Sequence, residues 1–573
     1  MNELAVATAK VPEPRLRSIL LALAFMLLLA PLFRADAAEG DSKSFKYNKL
    51  EFGGTRHDRL MIDVNGDGLA DLNMVYSRSD KLETWYFRTC LQEKGTGFAI
   101  GKCTEFVFPK DARAFDIGEV NGQPGAEMIL ITSNGVNMAG FAGGRFGTFT
   151  KVLPDRNLFT GTDDAKPALL RCLWDLDNNK IKELILPATD GPAIYRYAGA
   201  AFALFQKIKS PAHITYRVGT LGDIMATNDV NQFLSFRVYE KRATASYTAP
   251  DVFIEDFNGD RKPDILTLVD NTLRVFPQGA DGKFSDKPIA TVKRPILSAS
   301  EKTSGLAGEA MTFADLNGDG LGDVIMMKWG TSEERTQMDR YLYFARPGLK
   351  YPDKPDQIVR SESIAVDFGI YDLNRDKKLD LVIPYFHFAP AQAFKVMTEN
   401  AVKVQFRIFL MQPNNLYSQE AGKTFAKVDR RILLNYKVDI IGMIFDFRTM
   451  IEGKFHPLIN FGYDFNGDGF PDLVADTGGD MLTFYWGNAQ VNYAAQPNLT
   501  LNFESATDYD IGDFNGDGKA DIITYYDSEA RTQKKRELAK KAREQGAMTP
   551  QEVEESTLAS VPEGTRVKVL LSR

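Results

Sequence analysis

The sequence predicts an all-β fold: a β-propeller of four-stranded antiparallel blades, eight in number with seven as the alternative, carrying small helical insertions. Three observations lead there. A nine-residue pattern, Asp-x-[Asp/Asn]-x-Asp-Gly-x-x-Asp, occurs eight times with varying fidelity. Its starts fall at residues 63, 119, 175, 256, 315, 372, 464 and 513, so successive spacings are 56, 56, 81, 59, 57, 92 and 49. Around each copy lie short β-rich runs bounded by turn residues, roughly four to a period, as in a repeated four-stranded sheet.

Composition agrees with a globular chain. Of 573 residues, 44% are hydrophobic and 25% charged, and the net charge is −7. This mild acidity gives no basic face for a nucleic-acid partner. The N-terminus reads as an export signal over residues 1–37. Arg15 and Arg17 precede an apolar run from Ser18 to Phe33, and Ala35-Asp36-Ala37 supplies small residues for cleavage. An uncleaved anchor is the alternative. The propeller is then expected over 41–573, outside the cytoplasm (periplasmic or extracellular), with no membrane span after cleavage.

Each repeat has the same order of parts. A strand-like run enters the nine-residue pattern, as in Arg59-Leu60-Met61-Ile62, and a β-rich run leaves it, as in Ile265-Leu266-Thr267-Leu268-Val269. A turn and a third strand follow, such as Thr272 to Phe276. A fourth run is marked by Phe after Gly or Thr, as in Thr148 to Val152 and Thr424 to Val428. After the eighth copy only Ile522–Tyr526 and Arg566–Leu571 remain, so one strand is missing. Phe45 to Phe52 is the expected donor, which would close the ring and remove an open edge.

Three insertions interrupt the period: residues 210–250, 389–403 and 527–562. In the second, Phe394, Met397, Ala401 and Val402 suggest a short amphipathic helix. In the third, Glu529 to Gln545 is a charged helical run, and Thr549-Pro550-Gln551-Glu552 has a capping-box pattern. The cysteines are Cys90, Cys103 and Cys172. The first two flank a Gly-containing turn and suit a cross-strand bridge, whereas Cys172 reads as a buried free thiol.

The repeated pattern carries the chemistry. Oxygen donors at places 1, 3, 5 and 9 of one tight loop, with the backbone carbonyl of place 7, suit a hard cation. Six copies have the full acidic set: Asp63, Asn65, Asp67, Leu69 and Asp71; Asp256, Asn258, Asp260, Lys262 and Asp264; Asp315, Asn317, Asp319, Leu321 and Asp323; Asp372, Asn374, Asp376, Lys378 and Asp380; Asp464, Asn466, Asp468, Phe470 and Asp472; Asp513, Asn515, Asp517, Lys519 and Asp521. Calcium, as several structural ions, is the expected cofactor, because it accepts many oxygens in loose geometry. A plain turn competes at any single copy, since Asn-Gly and Asp-Gly are ordinary turn residues. The second copy, Glu119 to Glu127, is worn and expected to be an empty turn. The third, Asp175 to Glu183, is open either way. Lys180, Arg261 and Lys377 stand at place 6, where glycine is easiest.

These loops resemble the calcium loops of FG-GAP repeats, as in integrin α-subunit propellers, and of the related VCBS-type repeats of exported bacterial proteins. The resemblance covers nearly the whole mature chain. It implies seven blades in the usual case, ions that brace loops within blades on one face of the ring, and adhesion or ligand binding more often than catalysis.

No catalytic or cofactor-binding residues are predicted. His57, His213, His387 and His456 have no partners at zinc spacing, and nucleophile-elbow, P-loop and dinucleotide motifs do not occur. The sequence favours a non-catalytic scaffold that binds a protein or glycan, with an envelope-associated assembly as one setting. The alternative is a calcium-dependent polysaccharide-acting enzyme, a lyase or hydrolase, which a channel cluster of Tyr, His, Arg or Lys would favour.

Overall fold

A computed structural model describes residues 45–572 except 79–80, 95–96, 155–158, 160–164, 220–241, 305–306, 332–335, 362–368, 386–400, 420–424, 438–458, 477–480, 503–505, 507, 529–530, 532–533 and 535–563. The expected signal at 1–37 lies outside the described residues, as does nearly all of the charged run 529–545 and all of Thr549–Glu552.

Every copy of the pattern joins the first two strands of one sheet. Blade 1 comprises Thr55–Ile62, Asp71–Arg78, Lys81–Glu93 and Gly97–Val107, hydrogen-bonded in sequence order. Blade 2 is built on Ala112–Gly118, Glu127–Thr132, Gly135–Ala142 and Thr150–Leu153. It adds two short strands, Arg145–Phe146 and Ala168–Leu169. The sequential four-strand order of blade 1 recurs in blades 3 to 7, which span 173–207, 251–293, 307–361, 369–437 and 459–502. Blade 8 combines Asp508–Gly512, Asp521–Asp527 and Gly564–Ser572 with Phe45–Gly53 from the start of the chain. Eight blades are present, so the seven-blade alternative falls.

The missing strand is where the ring needs it. Phe45–Gly53 pairs antiparallel with Gly564–Ser572, from Phe45 opposite Ser572 to Gly53 opposite Gly564. The C-terminal strand is therefore paired on both sides, and Phe45–Gly53 forms the outer edge of the last blade.

Closure is also visible in the packing. The buried apolar residues fall into eight clusters, and each straddles one junction between neighbouring blades. The second strands explain how. Successive side chains of a strand point to opposite faces, so in blade 7 Leu473 and Ala475 pack toward blade 6 and Val474 packs toward blade 8. In blade 5, Val324 and Met326 pack toward blade 4 and Ile325 toward blade 6. A strand buried on both faces reads as a continuous apolar run. That is why these runs follow the acidic pattern so regularly.

Two element boundaries differ from expectation. Ala401 and Val402 begin the strand Ala401–Phe409 rather than ending a helix, while Phe394 and Met397 lie outside the described residues. The fourth strand of blade 6 is Arg430–Lys437, not the run at 424–428. Phe425 and Ala426 make only isolated bridges, whereas the later strand pairs with 401–408 and buries Ile432 and Leu434. The insertion at 210–250 contains an antiparallel pair, His213–Gly219 with Arg242–Thr248. The helix among the described elements, Ala299–Ser304, lies outside all three expected insertions.

Candidate metal loops

The nine-residue loop is held by its own side chains. In the seventh copy, Asp464 Oδ1 accepts from Gly467 N–H at 2.7 Å and its Oδ2 from Gly469 N–H at 2.8 Å. Asn466 Oδ1 accepts from Asp468 N–H at 2.8 Å, and Asp468 Oδ1 from Phe470 N–H at 2.9 Å. Places 1, 3 and 5 thus each cap the backbone that follows them, as Asx side chains do in turns. The same bonds recur at Asp63, Asn65 and Asp67, at Asp256, Asn258 and Asp260, at Asp315, Asn317 and Asp319, and at Asp513, Asn515 and Asp517. Asp372, Asn374 and Asp376 keep the bonds to places 5, 6 and 7.

Such wrapping needs left-handed backbone. Gly467 and Gly469 have φ of +75° and +87°. At place 6, Lys180, Arg261 and Lys377 adopt φ of +71°, +67° and +67°, so the loop keeps its shape against the cost of a side chain there.

Place 9 is different from the others. Asp71, Asp264, Asp323, Asp380, Asp472 and Asp521 are fully buried, each at the first residue of a second strand. Asp472 Oδ2 accepts from Phe465 N–H at 2.8 Å, and its Oδ1 from Gly487 N–H at 2.8 Å, just beyond the third strand. Asp71, Asp323, Asp380 and Asp521 repeat this clamp with Gln92, Ala345, Met411 and Ser572. Burial is the largest effect on these acids. It raises Asp71, Asp264, Asp472 and Asp521 to a pKa of about 6, and Asp323 and Asp380 to about 7, against hydrogen bonds that lower it.

A tyrosine seals three of these clamps, which sequence reading missed. Tyr351, Tyr417 and Tyr493 donate their hydroxyls to the place-8 carbonyls of Gly322, Leu379 and Pro471 at 2.6, 2.9 and 3.1 Å. Each tyrosine stands six residues after the backbone N–H that binds the place-9 acid: 345 to 351, 411 to 417 and 487 to 493. The same interval separates Gln92 from Phe98 and Gln278 from Phe284. Aligning the repeats on the end of the third strand, rather than on the acidic pattern, exposes it.

Neighbouring loops are joined by backbone. Place 8 of one loop donates to place 1 or 2 of the loop before it: Ala126 to Val64, Lys182 to Glu119, Gly322 to Phe257, Leu379 to Leu316, and Ala520 to Asp464, at 2.7–2.9 Å. Pro263 and Pro471 have no N–H to give at that place. At Pro263 the Gln278 side chain donates to the Leu176 carbonyl at 2.6 Å instead, and beside Pro471 the Arg375 side chain donates to the Gly469 carbonyl at 2.9 Å.

The loop residues fit a hard cation in their donor set, with oxygen atoms gathered on one preformed turn. Asn65, Asn317, Asn374 and Asn466 turn their amide Nδ2 toward the place-5 carboxylates at 2.9–3.1 Å. The carboxylates of places 1, 5 and 9 in these loops do not all come within 4.8 Å of one another. Among the described residues one acidic triad does: Asp175, Asp177 and Glu183 of the third copy. The Arg196 guanidinium bridges two of its members, Asp177 at 3.1 Å and Glu183 at 3.0 Å. In the worn second copy, Asn121 Nδ2 donates to Glu127 at 2.6 Å, and Glu119 accepts from Gly122 N–H at 2.7 Å.

The repeat family model described as FG-GAP-like repeat matches residues 256–326 and 464–524. The chain carries FG-GAP-like repeats. The two matched segments hold the fourth, fifth, seventh and eighth loops, and the other four loops share their place in the blade. No curated protein matches the sequence. Among solved structures, an Agrocybe aegerita lectin that recognises non-reducing terminal N-acetylglucosamine is similar at 16% identity, with 58% of this chain and 75% of that chain covered, at a TM-score of 0.34. The Vibrio cholerae biofilm matrix protein Bap1 is similar at 11% identity over 94% and 90% of the two chains, with a TM-score of 0.26. The Photorhabdus luminescens Tc holotoxin pore is similar at 11% identity over 86% of this chain, but 26% of its own, with a TM-score of 0.18.

Outside the repeat loops, the first strand of blade 1 and the first two strands of blade 8 bring Arg56, Arg59, Asp508, Asp510 and Tyr525 together. Arg59 Nε donates to Asp510 at 2.5 Å, its other arm to Asp508, and a third N–H to the Tyr509 carbonyl at 2.9 Å. Tyr525 donates to Asp510 at 2.8 Å, and both guanidiniums lie over its ring. Burial above all holds the Tyr525 hydroxyl well above its ordinary pKa. His213 pairs with Asp270 at the surface.

Proposed function

We propose that the chain is an exported, calcium-stabilised propeller that acts as a non-catalytic scaffold binding a protein or a glycan. The observation that supports this reading best is the set of backbone hydrogen bonds that joins five pairs of neighbouring repeat loops. A cation that orders one loop restrains its neighbours through these bonds. The loops then act together as a brace, and a rigid ring presents its variable connections to a partner. Export is supported by the sequence of residues 15–37 and by the Cys90–Cys103 bridge, which suits an oxidising compartment.

The Arg56, Arg59 and Tyr525 cluster is the kind of group a polysaccharide-acting enzyme would use. Here these side chains are occupied with Asp508, Asp510 and one another, which supports a closing role.

The test has two parts. Thermal melting in chelator and in millimolar Ca²⁺ should differ by several degrees; identical melts would remove the calcium part. Binding of the mature chain to glycan and envelope-protein panels with Ca²⁺ should reveal a retained ligand without turnover. Cleavage of any polysaccharide would favour the enzyme instead.

A further inference from the structure

Blade 3 departs from the others in the residue that faces its place-9 acid, and the departure has a chemical meaning. In blades 1, 5, 6 and 7 the residue just at or beyond the end of the third strand gives its backbone N–H to the place-9 acid. These residues are Gln92, Ala345, Met411 and Gly487, none of them cationic. Each stands one residue beyond the cross-strand partner of that acid. In blade 3 Leu184 pairs with Tyr195, so Arg196 stands opposite the acid Glu183 itself.

Arg196 contributes its side chain to the acid where the others contribute backbone. Its Nε lies 3.0 Å from Glu183, and a terminal nitrogen lies 3.1 Å from Asp177. Place 9 is glutamate here, one methylene longer than aspartate, so it can reach the strand-borne guanidinium. Its other oxygen still accepts from Leu176 N–H at 2.9 Å and keeps the loop shape. The Phe205 ring lies 3.9 Å below the guanidinium carbon. A planar cation held between a carboxylate fork and an aromatic face is well matched in shape and charge.

We infer that Arg196 is a built-in cation that takes the place of a metal ion in the third loop, and that replacing it opens a metal site on Asp175, Asp177 and Glu183. The inference rests on the calcium reading of the other loops. It explains why the one tight acidic triad among the described residues lies in a loop whose repeat pattern is worn: a fixed positive charge draws those carboxylates together. Arg196 is held in place by the chain, so this blade keeps its brace when divalent ions are withdrawn.

The experiment counts ions on the full mature chain. Bound Ca²⁺ is measured by equilibrium dialysis and atomic emission for wild type and Arg196→Met, which retains an apolar stem over Phe205. Arg196→Met should bind one more ion per chain. Tb³⁺ then reports where, because Trp174 precedes Asp175 and should sensitise an ion in this loop. The variant should gain Tb³⁺ emission that Trp174→Phe removes. Equal counts in wild type and variant would overturn the inference, as would Trp174-dependent emission already present in wild type. A second variant guards against misfolding: Asp177→Asn in the wild-type background should leave the count unchanged, and loss of one ion would overturn the inference. A wild-type count of zero would refute the calcium reading of the other loops, while the difference between the two proteins still tests Arg196.

Discussion

Arg59 of the first blade donates to Asp510 of the last at 2.5 Å, across 451 residues of sequence. The same guanidinium reaches Asp508 and the Tyr509 carbonyl, so one side chain ties three consecutive residues of the closing blade. Both partners are largely shielded from solvent, and removal of the arginine leaves Asp510 without this cation, while Asp508 keeps Arg56 at 3.4 Å. Arg59→Ala should therefore destabilise the fold by on the order of 2–3 kcal/mol, in the range of charged hydrogen bonds. Chemical denaturation reads this as a lowered midpoint. Deletion of Phe45–Gly53, which carries the other half of the closure, should cost far more; an unchanged melt for the deletion would refute closure by that strand.

Cys90 and Cys103 face each other directly across the third and fourth strands of blade 1 and are joined by a disulfide. Bridging a short loop removes freedom from the unfolded chain. Cys90→Ala with Cys103→Ala should lower stability by about 2–4 kcal/mol. Wild type melted in reductant should approach the double variant. Cys172 is buried and should resist thiol reagents until the protein unfolds. Rapid native labelling of one thiol would contradict that placement.

Lys377 sits at place 6 of the sixth loop with φ of +67°. Left-handed backbone costs a residue with a β-carbon about 1–2 kcal/mol, partly offset because glycine has more entropy to lose. Lys377→Gly should raise stability by about 0.5–1 kcal/mol, as should Arg261→Gly. A drop in melting temperature for both would show that their side chains make compensating contacts.

The place-9 acids set a pH dependence with a definite sign. Their folded pKa values lie at about 6 to about 7, above the ordinary 3.8. The folded state therefore holds these protons more tightly than the unfolded state does. Stability from this source is present below pH 4 and is lost as pH rises to about 7. In chelator, melting should be higher at pH 5 than at pH 7.5. Calcium needs the ionised form, so it should restore stability at pH 7.5 and do little at pH 5. A chelated protein that melts higher at pH 7.5 would rule out these groups as its dominant titration.

Much of the architecture was legible because a repeat states it many times. Eight acidic patterns locate eight first-to-second-strand turns, and apolar runs on their C-terminal sides locate strands buried on both faces. Of the helix expected at 389–403 only residues 401–403 are described, and there the apolar spacing of Ala401 and Val402 fits a strand equally well and pairing with Arg430–Lys437 decides. Tyr351, Tyr417 and Tyr493 were not legible from the acidic pattern. Their distance from it varies with the length of the second and third strands, and only the hairpin end fixes their interval.

By itself the sequence determined the repeat, its place between strands, the oxygen-rich chemistry of each loop and the origin of the missing strand. These are local consequences of residue type and spacing. Only the tertiary structure decided that eight blades close one ring, that Cys90 meets Cys103, and that the loops are joined to one another by backbone. It also decided that Arg196 lies on Asp177 and Glu183. Such relationships join residues whose distance apart depends on strand length, register and twist, and a linear pattern does not encode where those vectors meet.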